Sequence, residues 1–354
     1  MDKNVSEWRN YIRQVTPYAP GEQPVGHSII KLNTNENPYP PCKGVRDVLS
    51  SFDYEKLRKY PDPTVSELRS EIAKYYNLDM GNVFVGVGSD DVLAMCYMTF
   101  FNSDKPILFP DITYSFYDVW AEEFKVPYET KTLDDSFRIV KSDYYTDNGG
   151  IIIPNPNAPT GIAEDLDFFR DILDHNRNSV VIIDEAYVDF GATSAVALLN
   201  EYDNLIVVQT FSKSRSLAGS RIGFALSSSE IIKALHDVKY SFNSYTMDQL
   251  SIKLGIEAIR DEDYFRDNID KIILTRNRTY DQFKFLGFDV YPSSANFLFV
   301  KPTGISAKEL HAKLKKNNIY VRYFDKPRIS EYLRITIGTD DEMDMLIMAI
   351  EESV

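Results

Sequence analysis

Clustered positive charge is missing from this 354-residue chain: 39 Lys and Arg face 53 Asp and Glu, a formal net charge of −14. No basic tail or block interrupts that balance. Binding a nucleic-acid backbone needs clustered Lys and Arg, so that partner class is excluded. Cysteine is nearly absent. Cys42 and Cys96 have neither metal-ligand nor redox spacing and imply no disulfide framework. A reducing cytoplasm is therefore the expected compartment. The four histidines (His27, His175, His236, His311) are scattered, so no metal centre is expected. No apolar run approaches the ~18–20 residues of a membrane span. Met1 to Asn10 contains no apolar signal core. Internal repeats and low-complexity linkers are also missing. The hydrophobic fraction of 44% and charged fraction of 26% place the chain among ordinary globular proteins. Its length suits about two domains of roughly 100–200 residues each.

The organisation is legible from punctuation and period. Residues 1–40 read as an arm, in which Thr16-Pro17-Tyr18-Ala19-Pro20-Gly21 breaks any helix. Between residues 41 and 245, apolar strand-like runs alternate with helical patterns, which predicts a doubly wound, mostly parallel α/β sheet. The strand candidates include Val83–Val87, Ile107–Pro110, Ile151–Pro154, Val180–Ile183, Leu205–Gln209 and Ile222–Leu226. Thr64-Val65-Ser66-Glu67 has the form of a capping box opening a helix. Glu164 to Asn176 reads as another helix, and Thr113 opens one more. Residues 246–286 carry one long helical pattern. Residues 290–354 then read strand, helix, strand, strand, helix. Residues 246–354 thus form a smaller α+β domain.

Polar residues cluster where these strands end. The densest stretch is Thr210-Phe211-Ser212-Lys213, with Arg221 eight residues further on. A lysine closing a buried strand can lose solvent and lower its pKa, as a Schiff-base lysine requires. The hydroxyls of Thr210 and Ser212, with Arg221, suit a phosphate dianion beside it. A solvated surface loop has the same composition. Gly86-x-Gly88-Ser89-Asp90 leads from a strand into a helix N-terminus, a natural anion site, although acidic residues there are also ordinary caps. The dinucleotide fingerprint lacks its third glycine. Tyr114 follows a strand end and can stack on a ring or simply fill core. Asn157 lies between prolines in Asn155-Pro156-Asn157-Ala158-Pro159-Thr160-Gly161, so its amide is well aimed. Asp184 ends a buried strand, where open α/β sheets bind ligands. Buried there it needs a cationic or hydrogen-bonded partner, such as a protonated pyridine, or else caps the next helix. Tyr187 follows three residues later. Asn35, in the Asn33–Asn37 run, suits the edge of a substrate site. Arg322 and Arg334 fall in strand segments of the small domain, and their forks suit a carboxylate or phosphate.

Taken together, these stretches resemble the fold-type I pyridoxal-phosphate aminotransferases over residues 16–338. The set Gly86-x-Gly88-Ser89-Asp90, Asn155-Pro156-Asn157-x-Pro159-Thr160-Gly161, Asp184-Glu185-Ala186-Tyr187, Ser212-Lys213 and Arg221-x-Gly223 carries the resemblance. Thr16-Pro17-Tyr18, Asn33 to Pro38, Arg322 and Leu333 to Gly338 are most similar to the histidinol-phosphate branch. The resemblance implies pyridoxal 5'-phosphate as cofactor and Lys213 as the residue that bonds it and later shuttles a proton. It implies that Asp184 keeps the pyridine nitrogen protonated. Asn157 and Tyr187 would bond the phenolic oxygen, and Tyr114 would stack on the ring. Ser89, Asp90, Thr210, Ser212 and Arg221 would hold the phosphate. Tyr60 would reach the neighbouring subunit's cofactor, which implies a homodimer with shared sites. Tyr18, Asn35, Arg322 and Arg334 would bind substrate. Ala158, Ser220 and Ser214-Arg215-Ser216 depart from the common pattern without removing a catalytic group. The expected activity is transamination between L-histidinol phosphate and 2-oxoglutarate. Aromatic amino-acid transamination and phosphothreonine decarboxylation remain open on the same cofactor motifs. A regulator of this fold would need a DNA-binding domain and a basic patch.

Overall fold

The computed structural model describes residues 7–26 and 28–353, so His27 lies outside it. Three early elements are β1 (Ile30–Leu32), α1 (Lys43–Ser51) and α2 (Ser66–Tyr75). The large domain follows with β2 (Val83–Gly86), α3 (Ser89–Phe100), β3 (Ile107–Pro110), α4 (Tyr117–Phe124), β4 (Tyr128–Lys131) and β5 (Gly150–Pro154). It continues with α5 (Leu166–His175), β6 (Val181–Asp184), β7 (Leu205–Thr210), β8 (Gly223–Ser227) and α6 (Ser229–Phe242). The sheet order is β2-β8-β7-β6-β5-β3-β4. β8 runs against both neighbours and the other pairings are parallel.

The apolar runs explain the layering. Every residue of β5, β6 and β7 is buried. Alternate side chains serve opposite faces: Ile152, Ile182 and Ile206 join the core under α3, α4 and α6. Ile151, Ile153, Val181, Ile183 and Val207 join the core under α2 and α5. A strand covered on both faces needs unbroken apolar sequence, and each such side chain contributes about 1.5–3 kcal/mol of burial.

Several local expectations shift. The Thr64–Glu67 box does not form. Val65 sits at the N-cap in a left-handed conformation with no side-chain cap bond. The Asp62 carboxylate instead accepts from the amides of Thr64 and Ser66 at 2.9 and 2.8 Å. A proline-flanked Asp one turn earlier satisfies the same orphan donors. α4 begins at Tyr117 rather than Thr113. The pattern over 246–286 splits into α7 (Gln249–Arg260) and α8 (Glu262–Phe285), with Asp261 accepting from the Tyr264 amide to cap the second. Ile252, Leu254, Ile256 and Ile259 of α7 pack in the large-domain core. By packing, α7 belongs with the large sheet rather than with the small domain to which the division at 246 assigned it. The period continued because both helices present apolar faces; only their partners differ.

The smaller sheet contains β9 (Asp289–Val290), β10 (Phe297–Lys301), β11 (Ile319–Tyr323) and β12 (Leu333–Thr336), in the order β1-β11-β12-β10-β9. Helices α8, α9 (Ala307–Lys316) and α10 (Asp340–Glu351) supply its core with Phe283, Leu310, Leu314, Leu346 and Ile350. β1 pairs with β11 in parallel, so the polar Asn33–Asn37 run starts from the small sheet. Asn37 Nδ2 then donates to the carbonyls of Lys213 and Ser214 at 3.0 and 3.2 Å. This run therefore bridges the two sheets beside the lysine. The arm touches both units: Arg13 reaches the Glu123 carbonyl at 2.9 Å, and Lys315 pairs with Glu22 at 2.7 Å. No helix among the described residues is long and apolar enough to cross a membrane.

Candidate active site

The carboxyl ends of the parallel strands open onto two connected cavities that share Lys213, Tyr187, Tyr114 and Thr34. The inner one is lined by Ser89, Asp90, Asp184, Thr210, Ser212 and Arg221 among others. The outer one is lined by Tyr18, Asn35, Arg322, Phe324 and Arg334. Residues about three hundred positions apart meet here: Asp184, Thr210 and Lys213 come from strand ends of the large sheet, Arg322 and Arg334 from within β11 and β12, and Tyr18 from the arm.

Lys213 leaves the end of β7, and its Nζ donates to the Thr34 carbonyl at 2.9 Å. Desolvation lowers its pKa from the usual 10.5 to about 8, and the positive charge of Arg334 adds to the effect. Glu36 and Asp90 oppose it. A substantial neutral fraction at mildly alkaline pH makes this amine a nucleophile.

Asp184 ends β6 level with Pro154 and Val208, and is 5% exposed. Burial raises its pKa to about 6, against hydrogen bonds from Tyr117 and the Ala186 amide that lower it. The Tyr117 hydroxyl donates to its Oδ2 at 2.7 Å. No cation pairs with this carboxylate among the described residues. Facing a cavity, such a group fits a protonated ring nitrogen.

The anion cradle is built from the ends of β7 and β2 and the start of β8, on the other side of Lys213 in the sheet order. Gly88 (φ 89°) turns the chain into α3, whose first amides, those of Ser89 and Asp90, have no intrahelical partner. A Cβ on Gly88 would meet Arg221 Nη2 at 2.4 Å, and one on Gly223 would meet the Ser89 nitrogen at 2.2 Å. The two glycines let the turn, β8 and the guanidinium close together. Arg221 is itself left-handed (φ 50°), a strained conformation costing about 1–3 kcal/mol. It reaches Asp90 Oδ2 at 3.2 Å and Ser212 Oγ at 3.5 Å. Thr210 Oγ1 lies 2.9 Å from Ser212 Oγ. Unpaired amides, two hydroxyls and a guanidinium lining the inner cavity form a donor set suited to a phosphate.

Tyr114 lies between the cavities, and its hydroxyl donates to Asp90 Oδ1 at 2.9 Å. Asn35 Nδ2 donates to the Tyr187 hydroxyl at 2.9 Å. Tyr18 stacks on Phe116 with centroids 4.4 Å apart. Arg322 and Arg334 lie directly opposite each other across antiparallel β11 and β12. Like charges in that register repel. Neither forms an ion pair among the described residues, and Arg334 Nε is buried without a partner. Arg334 Nη2 bonds the Asn33 carbonyl at 2.9 Å, and its guanidinium lies over Phe297 and Phe324. Such a pair has the charge and the free donors to suit an anion.

Two expected residues stand apart. Asn157 is buried behind the wall: its amide donates to the Ile112 carbonyl at 2.9 Å and accepts from Thr113 at 3.1 Å. Its second amide proton stays available. Tyr60 lies outside both cavities, is 80% exposed, and stacks on Tyr245. Sequence reasoning missed Tyr117, Thr34, Glu36 and Phe324. Thr34 and Glu36 lie within the polar run that was singled out. Tyr117 carried no local signal, since an aromatic opening a helix reads as core.

A family model described as aminotransferase class I and II matches residues 27–350. The histidinol-phosphate aminotransferase of Clostridium botulinum (strain 657 / Type Ba4) is 49% identical over 347 residues, covering 98% of each chain. That of Brachyspira hyodysenteriae is 50% identical over 340 residues, covering 96% of each. Among solved structures, the histidinol-phosphate aminotransferase from Sinorhizobium meliloti, in complex with pyridoxal-5'-phosphate, has a TM-score of 0.84 at 23% identity. It covers 91% of this chain and 90% of that one. The lysine, the strand-end carboxylate and the anion cradle thus sit in a matching sequence frame, and the chain belongs to the aminotransferase class I and II family.

Proposed function

We propose that the chain is a pyridoxal-phosphate-dependent histidinol-phosphate aminotransferase of histidine biosynthesis. It moves an amino group between L-histidinol phosphate and 2-oxoglutarate, giving imidazole acetol phosphate and L-glutamate. The observation that carries the substrate choice is the unpaired, face-to-face pair Arg322 and Arg334 beside Tyr18, in the outer cavity that Lys213 also lines. A substrate with its amine at the lysine and an anion a few bonds away satisfies both ends. A carboxylate of glutamate satisfies the same arginines in the other half-reaction.

The inner cavity fits the cofactor, since it offers a phosphate donor set, an uncompensated carboxylate and a lysine of lowered pKa. When bound, pyridoxal phosphate supplies a carbonyl for amines and an electron-withdrawing ring. Ser89, Asp90, Thr210, Ser212 and Arg221 hold the phosphate. Asp184 holds the ring nitrogen's proton, and Tyr117 keeps Asp184 oriented. Tyr187, carrying the Asn35 bond, and Asn157, through its free amide proton, orient the phenolic oxygen. Tyr114 covers a ring face. Lys213 Nζ, the amine of lowered pKa, would hold the cofactor and would take the proton from the substrate's amino-bearing carbon. Arg334, Arg322 and Tyr18 hold the substrate anion. We assign the chain to a cytoplasmic homodimer in which the exposed Tyr60 serves the second subunit's phosphate site. Two free buried thiols are compatible with a reducing compartment.

Borohydride reduction followed by peptide mass analysis tests the core of the proposal. Cofactor mass is expected on the Lys213 peptide and absent in Lys213→Ala; cofactor fixed elsewhere overturns it. A panel of histidinol phosphate, phenylalanine, tyrosine and phosphothreonine then tests the substrate. The aromatic wall of Tyr18, Tyr114, Phe116 and Phe324 favours a second reading, an aromatic amino-acid aminotransferase. A higher kcat/KM for phenylalanine than for histidinol phosphate would establish it, and carbon dioxide from phosphothreonine would identify a decarboxylase.

A further inference from the structure

Lys239 on α6 is the most deeply buried cation among the described residues, at 2% exposure, and no carboxylate pairs with it there. Its Nζ donates to the Pro63 carbonyl at 2.8 Å and reaches the Ser244 carbonyl at 3.5 Å. Those two carbonyls belong to different loops. One carries Tyr60 three residues earlier; the other carries Tyr245 next to it. The rings of Tyr60 and Tyr245 stack with centroids 4.6 Å apart. The first loop is fixed on both sides of Tyr60. Gln249 Nε2 bonds the Lys59 carbonyl at 2.8 Å, and Asp62 caps α2. Arg69, also buried, bonds the carbonyls of Met80 and Val83, each at 2.8 Å, and reaches that of Thr64 at 3.4 Å. Burying an ammonium against backbone carbonyls and the face of Tyr240, with no carboxylate bonded to it, is unfavourable relative to an apolar side chain of similar volume. What the lysine adds is a geometric tie between two loops that share no direct backbone hydrogen bond among those found. The two ring nitrogens of His236, one turn before it on α6, are buried without a partner.

We infer that Lys239 is a positioning residue: it locks the Tyr60 and Tyr245 loops into one platform and so sets where the Tyr60 hydroxyl is presented to a second copy of this chain. The inference rests on the shared-site homodimer proposed above. Tyr60 projects from the platform exposed, 80%, and its neighbours Tyr245 and Phe242 are exposed at 44% and 71%. An aromatic face held by buried ties fits an ordered contact better than a mobile loop.

Mixing variants tests this on the full-length holoenzyme. Lys239→Met keeps Lys213 but releases the platform; Lys213→Ala removes the amine and keeps the platform. Lys239→Met alone should lose roughly 10- to 100-fold in kcat/KM, the scale of a misplaced positioning group. Its Kd for pyridoxal phosphate should rise while that for pyridoxal without phosphate does not. Lys213→Ala alone should be inactive. Dissociated and reassociated together, the two should regain roughly a quarter of wild-type activity, since half the dimers pair randomly into one competent site of two. Tyr60→Phe should lower activity, and adding Lys239→Met to it should cost little more. A protein monomeric by light scattering, or an unimpaired Tyr60→Phe, overturns the shared-site reading and the inference with it. A dimer with impaired Tyr60→Phe but normal Lys239→Met overturns the inference alone, as does a mixture that regains nothing. Should Lys239→Met not fold, Tyr245→Ala on the exposed rim enters the same mixing experiment; no regain there also overturns the platform.

Discussion

Removing one hydroxyl at Tyr117 should convert cofactor binding into a pH-dependent weakness. Tyr117 and Asp184 are 0% and 5% exposed, and the hydroxyl donates to Asp184 Oδ2 at 2.7 Å. Phe keeps the ring and its packing against Phe109 and Trp120. The change therefore removes little but the bond. A buried hydrogen bond to a charged group contributes about 1.5–3 kcal/mol. At 1.36 kcal/mol per unit, the Asp184 pKa should climb by about one to two units from its value of about 6. A carboxylate that is mostly ionised near pH 7 then becomes mostly protonated, and a neutral carboxyl cannot pair with a pyridinium. Titration of cofactor-free protein with pyridoxal phosphate, followed by fluorescence quenching, measures this. Tyr117→Phe should bind roughly 2- to 15-fold more weakly near pH 7, as the ionised fraction of Asp184 falls, with the deficit shrinking by about pH 9 as Asp184 ionises. An unchanged affinity, or a deficit equal at every pH, would refute the argument and leave the hydroxyl a packing group.

Other outcomes follow from the same geometry. Gly223→Ala puts a Cβ 2.2 Å from the Gly88 carbonyl carbon and the Ser89 nitrogen. It should destabilise the fold by about 1–3 kcal/mol in chemical denaturation and selectively weaken the phosphorylated cofactor relative to pyridoxal. Arg334→Lys keeps the charge but loses the fork held over Phe297 and Phe324. The KM for histidinol phosphate and for glutamate should both rise roughly 10-fold or more, whereas loss for one substrate only would separate their anion sites. Lys213 has a folded pKa lowered from 10.5 to about 8. Between those values the unfolded chain binds more protons, so this group's contribution to stability of the cofactor-free protein rises with pH through that window. The gain is of order 3 kcal/mol, and urea midpoints of wild type and Lys213→Met should converge as pH increases from about 8 to about 10.

The chemistry was written locally and its assembly was not. Three consecutive isoleucines, a terminal Asp184 and a hydroxyl-flanked Lys213 each announce a strand end, because backbone period and side-chain polarity are short-range properties. Strand ends of a parallel sheet share one edge, so the inner cavity was legible as a set of residues. The Thr64 cap, the start of α4 and the break at Asp261 were misread. There, Asp62 and Asp261 competed for the same orphan amides, and sequence pattern does not rank such rivals. The partnership of Tyr117 with Asp184, the carbonyl of Thr34 at Lys213 and the burial of the Asn157 amide depend on packing across 45 to 179 positions. Arg322 and Arg334 were visible as odd arginines in strands. Only the register of β11 on β12 set them opposite each other. The sequence alone determined which groups were available at the strand ends. The tertiary structure decided which met, since closing long loops into contact is settled by the whole core and by no single segment.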